Sequence, residues 1–178
     1  MPAATAPAVS DDVRTPDFDA IFRQHAPMVY RTARAVTGRP EEAEEVLQTL
    51  FLRLIRGEHS AGLWKSPKAY LHRAAVNLSL DLLKARRRRA FALDVDALAL
   101  ADPATTHHVR PGHPALDGAL AELEPDAVQL LTLRYVHGYS DAEIAGQLGT
   151  SRGAIALRLF RLRRRLKRFL VNPRGEKR

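Results

Sequence analysis

Ser140–Phe169 reads SDAEIAGQLGTSRGAIALRLFRLRRRLKRF, and this stretch decides the fold class. Ser140 and Glu143 fit a capping box: the serine hydroxyl accepts from a backbone N–H in the first turn, and the carboxylate reaches back. Ile144 and Leu148 recur at helical spacing and predict a buried stripe. Gly149 stands where a helix ends in a left-handed residue. Thr150 and Ser151 are each able to cap the helix that follows. That helix carries Ile155, Leu159, Leu162 and Leu166 along one side. Arg158, Arg161, Arg163, Arg164, Arg165, Lys167 and Arg168 crowd its other faces. Two helices across a glycine turn, the second one basic, make a helix-turn-helix. In that motif the first turns of the second helix meet base edges, and flanking cations hold phosphates. An arginine-rich helix alone reads as the solvated face of an ordinary bundle. The capped turn in front of it favours duplex DNA.

Composition agrees. The chain has 178 residues, room for one domain or two small ones, and 46% of them are hydrophobic, enough for buried cores. The formal net charge is +8 and is clustered, which points to a polyanion, nucleic acid ahead of an acidic membrane surface. The absence of cysteine excludes disulfides, thiolate metal sites and cysteine nucleophiles, and fits a reducing compartment. The N-terminal MPAATAPAVSDDVR lacks the basic start and apolar run of a secretory signal. With no apolar stretch long enough to span a bilayer, the expected location is the cytoplasm.

Upstream of the motif the pattern is helical throughout, without a strand period or an internal repeat. Residues 1–16 are Ala/Pro/Asp-rich and predict a flexible arm. Phe18, Ile21, Phe22, His25 and Val29 mark an amphipathic face, and Gly38-Arg39-Pro40 breaks it. The next helix opens in acids, Glu41, Glu42, Glu44 and Glu45, as the helix dipole favours. Its apolar positions are Ala43, Val46, Leu47, Leu50, Phe51, Leu54 and Ile55, and Gly57 closes it. Residues 58–67 read as a loop, and residues 68–89 as a third helical block with a possible interruption near Asn77. Near Ala90 the composition shifts to Asp, Pro, Gly and His, predicting a linker with at most one helical turn at Asp94–Leu100. Helices are expected again over Pro114–Leu123 and Pro125–Val136, with a turn at His137-Gly138-Tyr139 and a frayed tail after Val171. The expected architecture is all-α: two small helical domains, residues 17–90 and 114–171, joined by a flexible linker over 91–113, with a tail over 172–178.

A second nucleic-acid surface is suggested by Leu63–Arg89, LWKSPKAYLHRAAVNLSLDLLKARRRR. Trp64, Lys65, Lys68, Tyr70, His72 and Arg73 mix aromatic and basic groups, and Lys84 and Arg86 to Arg89 follow. Aromatic faces stack on unpaired bases while cations track the backbone, and Asn77 can bond a base edge on two sides. Against this, Trp64 and Tyr70 equally suit a core, and the arginine run equally suits a solvated helix end.

In their order and spacing these motifs resemble the extracytoplasmic-function (ECF) class of bacterial sigma factors, in the sigma-70 family, from Phe18 to Leu170. Such proteins join a region 2 to a region 4. Glu42–Arg53 is similar to the region 2 helix that docks on the polymerase β′ coiled coil. The resemblance implies core-polymerase binding through Glu45, Gln48, Phe51, Leu52 and Arg53, with Phe51 mainly structural. Tyr70–Asn77 and Asp81 are similar to the segment that melts and reads the −10 element. The implied −10 residues are His72, Arg73, Asn77, Asp81, Lys84, Arg86 and Arg87. Asn77 would receive a flipped base between His72 and Arg73, and Arg86 to Arg89 would hold phosphates. Flipping costs a few kcal/mol, offset by the pocket. Leu130–Phe169 is similar to region 4, which implies −35 contacts from Arg152, Ala156, Leu157, Arg158, Phe160 and Arg161. Thr49 replaces the usual acid and Ile55 a frequent aromatic. Ala154, Ala156 and Leu157 replace polar residues, so thymine methyls or DNA shape are expected to carry more of the −35 specificity.

The partners so implied are core RNA polymerase (β′ coiled coil and β flap), duplex −35 and melted −10 DNA, and an anti-sigma factor, with no small-molecule substrate. No cofactor, metal or catalytic residue is expected. His107, His108 and His113 have metal-binding potential, but their Pro/Gly surroundings favour a plain linker. Two other readings stay open at this point: a stand-alone dimeric helix-turn-helix regulator, and a recombinase, which needs a nucleophilic Ser or Tyr in a basic pocket.

Overall fold

The computed structural model describes residues 18–97 and 114–171. The expectations for the N-terminal arm, for His107, His108 and His113, and for the tail lie outside these residues. All regular structure among the described residues is helical: α1 (Phe18–Thr37), α2 (Pro40–Ile55), α3 (Gly62–Lys65), α4 (Pro67–Ala97), α5 (Pro114–Ala121), α6 (Pro125–Tyr135), α7 (Asp141–Leu148) and α8 (Arg152–Val171).

Local chemistry sets most boundaries. Gly38 takes a left-handed φ of 75° after α1, and Pro40 starts α2, where its missing N–H is not needed. Gly57, also at φ 75°, follows α2. Within the expected 58–67 loop the chain makes the single turn α3, pinned by fully buried Leu63.

The third block departs from expectation. Helix α4 runs unbroken through Asn77 and continues past Ala90 to Ala97. The sequence from Lys68 to Asp102 holds neither glycine nor proline, so nothing local stops it. Asn77 points to solvent, and Ser79 donates to the Ala75 carbonyl at 2.7 Å, so neither competes with the helical ladder.

Helices α1 to α4 form one bundle around Val29, Ala33, Val46, Leu50, Leu54, Leu63 and Leu71. Helices α6 to α8 enclose a second core of Leu130, Leu133, Ile144, Ala145, Ile155 and Leu159. A third cluster joins the two: Val36, Val76, Leu80 and Leu83 of the first bundle pack on Leu120, Leu123, Val128 and Leu131 of the second. Each such side chain, once buried, contributes about 1.5–3 kcal/mol relative to exposure.

Candidate nucleic-acid and polymerase interface

The helix-turn-helix is built as its sequence dictates. Glu143 N–H donates to Ser140 Oγ at 3.3 Å, and Ser140 N–H donates to Glu143 Oε2 at 2.8 Å, completing the capping box. The Ser140 hydrogen bonds also hold the Glu143 carboxyl below its usual pKa. Gly149 takes φ 63°, and Ser151 Oγ accepts from Ala154 N–H at 3.2 Å to cap α8. Buried Ile155 and Leu159 fix the rotation of α8. Arg152, Ala156, Leu157, Arg158, Phe160 and Arg161 consequently all face solvent. Leu157 is 48% exposed and Phe160 51%. The Arg164 guanidinium lies 5.8 Å from the centre of the Phe160 ring. A helix of this kind fits the major groove, where arginines pair with guanine edges and apolar groups meet thymine methyls.

On α2, Val46, Leu50 and Leu54 point into the core, which turns Glu45, Gln48, Leu52 and Arg53 outward. Phe51 is buried and meets Phe22 edge-on at 4.7 Å, a packing role. Phe18, Phe22, Gln48, Phe51, Leu52 and Ile55 line a shallow groove of about 370 Å³. Ile55, whose spacing placed it with the apolar core positions, is instead 65% exposed in this groove. An apolar strip of this kind, open to water, marks a partner surface.

On α4, Arg73, Asn77 and Asp81 recur every fourth residue and share an exposed face. Lys84 is half-buried, and Arg88 and Arg89 are exposed. The other predicted residues of this surface are engaged. His72, predicted to flank the base pocket, is fully buried, its Nε2 3.1 Å from Thr132 Oγ1 of α6. Arg73 pairs with Asp126 at 3.2 Å. Arg86 donates to Glu42 at 2.8 Å, to Asp117 at 2.9 Å and to the Thr37 carbonyl at 3.0 Å. Arg87 donates to the Gly118 carbonyl and to Glu122, both at 3.3 Å. In this arrangement His72, Arg73, Arg86 and Arg87 therefore face the second bundle.

Sequence reasoning gave no role to Arg31 or Thr32 and only a turn to His137, which gather at His72. The His137 ring stands edge-on to it at 5.3 Å. Thr32 and Arg31 approach His137 from α1, and Lys68 lies 4.6 Å from the Tyr139 ring centre. Burial is the main cause that lowers the pKa of both rings, His72 to about 3 and His137 to about 4. His72 and His137 are 65 positions apart, and no pattern within either segment links them.

Two further features lie near α8. An apolar groove of about 590 Å³ is lined by Val36, Leu116, Leu120, Leu131, Leu166 and Leu170, with Arg163 and Lys167 as cations. A cleft of about 470 Å³ brings Arg73 of α4 together with Arg158 and Arg161 of α8. Among the described residues no group of three or more His, Asp or Glu is placed to hold a metal ion. No helix among them is long and apolar enough to cross a membrane.

Comparison with known proteins gives the same order of parts. The family model described as sigma-70 region 2 matches residues 21–89, and that described as sigma-70, region 4 matches residues 113–166. The ECF RNA polymerase sigma factor SigE of Mycolicibacterium smegmatis is 32% identical over 177 residues, covering 95% of this chain and 67% of the relative. The ECF RNA polymerase sigma factor SigM of Mycobacterium tuberculosis is 32% identical over 153 residues, covering 86% and 76%. CarQ of Myxococcus xanthus, an RNA polymerase sigma factor, is 32% identical over 163 residues, covering 86% and 88%. Among solved structures, the sigma factor RpoE in complex with the anti-sigma factor NepR from Bartonella quintana aligns with a TM-score of 0.46 at 20% identity. That alignment covers 90% of this chain and 99% of the other.

Proposed function

From the premise that this chain belongs to the ECF sigma factors of the sigma-70 family, we propose a division of labour among its surfaces. As a sigma factor it directs core RNA polymerase to promoters and initiates transcription. The exposed edge of α2, with Glu45, Gln48, Leu52 and Arg53 beside the Phe22–Ile55 groove, takes the β′ coiled coil. The apolar groove between α1, α5, α6 and α8 takes the β flap, with Arg163 and Lys167 available to acidic groups of that partner. The first turns of α8 read the −35 duplex. Arg158 holds phosphate, Arg152 and Arg161 reach base edges, and Ala156, Leu157 and Phe160 meet thymine methyls. Asn77, Asp81 and Lys84 engage the −10 strand, joined by His72, Arg73, Arg86 and Arg87 once the two bundles part.

The observation that carries this reading is the pair Leu157 and Phe160. Two large apolar side chains about half in water, between arginines and on a rigidly capped helix, make sense against a partner surface. The chain does no covalent chemistry of its own and works in the cytoplasm, where its polymerase and DNA partners are. An anti-sigma factor that covers these faces completes the set of partners.

Footprinting of the reconstituted holoenzyme tests the assignment. Arg161→Glu is expected to erase protection at −35. Asn77→Ala is expected to keep that protection and lose permanganate-reactive thymines at −10. Leu52→Glu removes both by weakening the hold on core polymerase. Unchanged −35 protection in Arg161→Glu would refute the role given to α8.

A further inference from the structure

The packing of the second bundle on α4 leads beyond promoter recognition. A region 2 and region 4 working at −10 and −35 sit about 25 base pairs apart, roughly 85 Å at 3.4 Å per base pair. Here Arg73 of one surface lines the same cleft as Arg158 and Arg161 of the other. His72, Arg73, Arg86 and Arg87 all bond residues of the second bundle. This closed form cannot read both elements at once.

Hydrogen-bond directions at its centre favour neutral imidazoles. The Thr132 hydroxyl shares its single proton between the Val128 and Gln129 carbonyls, each at 3.0 Å, which leaves its oxygen to accept from His72 Nε2–H. His72 Nδ1 is then a bare, buried nitrogen with no partner. The Thr32 hydroxyl donates to the Met28 carbonyl at 2.9 Å, so it accepts from His137 Nε2–H at 2.8 Å. His137 Nδ1 in turn accepts from Arg31 Nη2 at 3.3 Å. A proton on His137 Nδ1 breaks the Arg31 bond and sets two cations together. A proton on His72 Nδ1 adds a buried donor with nothing to receive it.

The cations facing the pair, Arg31 and Lys68, make protonation harder. Helix α1 brings Arg31 to His137, and its His25 lies within the field of the same Lys68. Helix α4 brings Lys68, and Arg73 follows His72 but is paired with Asp126 of α6. Helix α6 brings the neutral Thr132, the following turn brings Tyr139 stacked on His137 at 6.2 Å, and Glu143 on α7 lies within the field of Lys68.

We propose that the His72–His137 contact is an acid-released latch, which holds the second bundle over the −10 face at neutral pH and opens when the imidazoles take up protons. Both rings bind protons more weakly closed, with pKa values of about 3 and about 4, than when freed to the ordinary 6.5. Their contribution to closure is therefore complete above pH 6.5 and is lost as pH falls through that value toward 4. Between pH 7.5 and 5.5 the closed-to-open ratio drops about tenfold per histidine, about a hundredfold for the pair.

Resonance energy transfer between dyes on Glu44→Cys and Ala142→Cys tests this without polymerase or DNA, so its outcome is independent of the promoter assignments. The chain has no cysteine of its own. The measurement is made in the otherwise unaltered chain and with Asp117→Asn, which weakens the Arg86 bond across the interface and brings the two forms nearer balance. High transfer at pH 7.5 that falls toward pH 5.5 with helicity retained is expected in at least the Asp117→Asn background. The fall is expected to vanish when His72→Gln and His137→Gln are added. Low transfer already at neutral pH, no pH dependence in either background, loss of helicity together with transfer, or a fall that survives the double glutamine change would each overturn the latch.

Discussion

Arg86 shows how one side chain carries two demands. Its guanidinium bonds two carboxylates and a carbonyl, with only 17% of the side chain exposed. Glu42 lies in the first bundle and Asp117 in the second, so the arginine ties α2, α4 and α5 together. Reading the four-arginine run as phosphate contacts missed this, because run composition says nothing about which member turns inward. Removing one partner of such a half-buried network leaves the others desolvated without compensation. Arg86→Ala is predicted to lower stability by about 2 kcal/mol, seen as a lower urea midpoint. Arg86→Lys is predicted to restore less than half of that, since an ammonium lacks the planar fork that reaches both carboxylates. A midpoint unchanged in Arg86→Ala would show that the network contributes nothing net.

At the scale of elements, the helix-turn-helix is the part most nearly determined by its own residues. Gly149 is a clean probe, since a Cβ there meets no atom within 4 Å and only the left-handed φ of 63° opposes it. Gly149→Ala is predicted to cost about 1 kcal/mol, with Gly149→Asn milder, in thermal or urea unfolding. Larger losses would point to packing that the geometry lacks. The same locality explains what was legible in the sequence. Ser140, Glu143 and Gly149 act on neighbours within a turn, so α7, the turn and α8 were readable, as was α2 from its proline start and acidic first turn. The extension of α4 to Ala97 was not, because the change of composition near Ala90 predicts a helix end where no breaking residue stands. Nor was the exposure of Ile55, whose spacing matches the core positions while its place at the end of α2 leaves it open to the groove. The inward turn of His72 also escaped, since Thr132 and His137 reach it from the second bundle and leave no trace in its own helix.

At the scale of the whole molecule, the two bundles share the Val36–Leu131 cluster and yet work far apart on a promoter. The apolar core between them holds the closed form, while the polar layer around His72, Arg73, Arg86 and Arg87 gives up its partners on opening. On the proposed assignment those residues then become available to the −10 strand, and closure and promoter engagement would compete for the same side chains. Salt weakens exposed pairs such as Arg73–Asp126 more than the largely buried Arg86–Asp117 pair, so the buried pair, the imidazoles and the apolar cluster hold the closed form under physiological ionic strength. The central claim is that this chain confers promoter-specific initiation through α2, α4 and α8. It is tested most directly by mixing the purified protein with bacterial core polymerase and a pool of genomic promoter fragments, then sequencing the transcripts. Initiation from a discrete set of start sites is predicted, abolished by Asn77→Ala and by Arg161→Glu. Sequence-specific DNA binding with no polymerase-dependent start sites would contradict the account and leave a stand-alone helix-turn-helix regulator in its place.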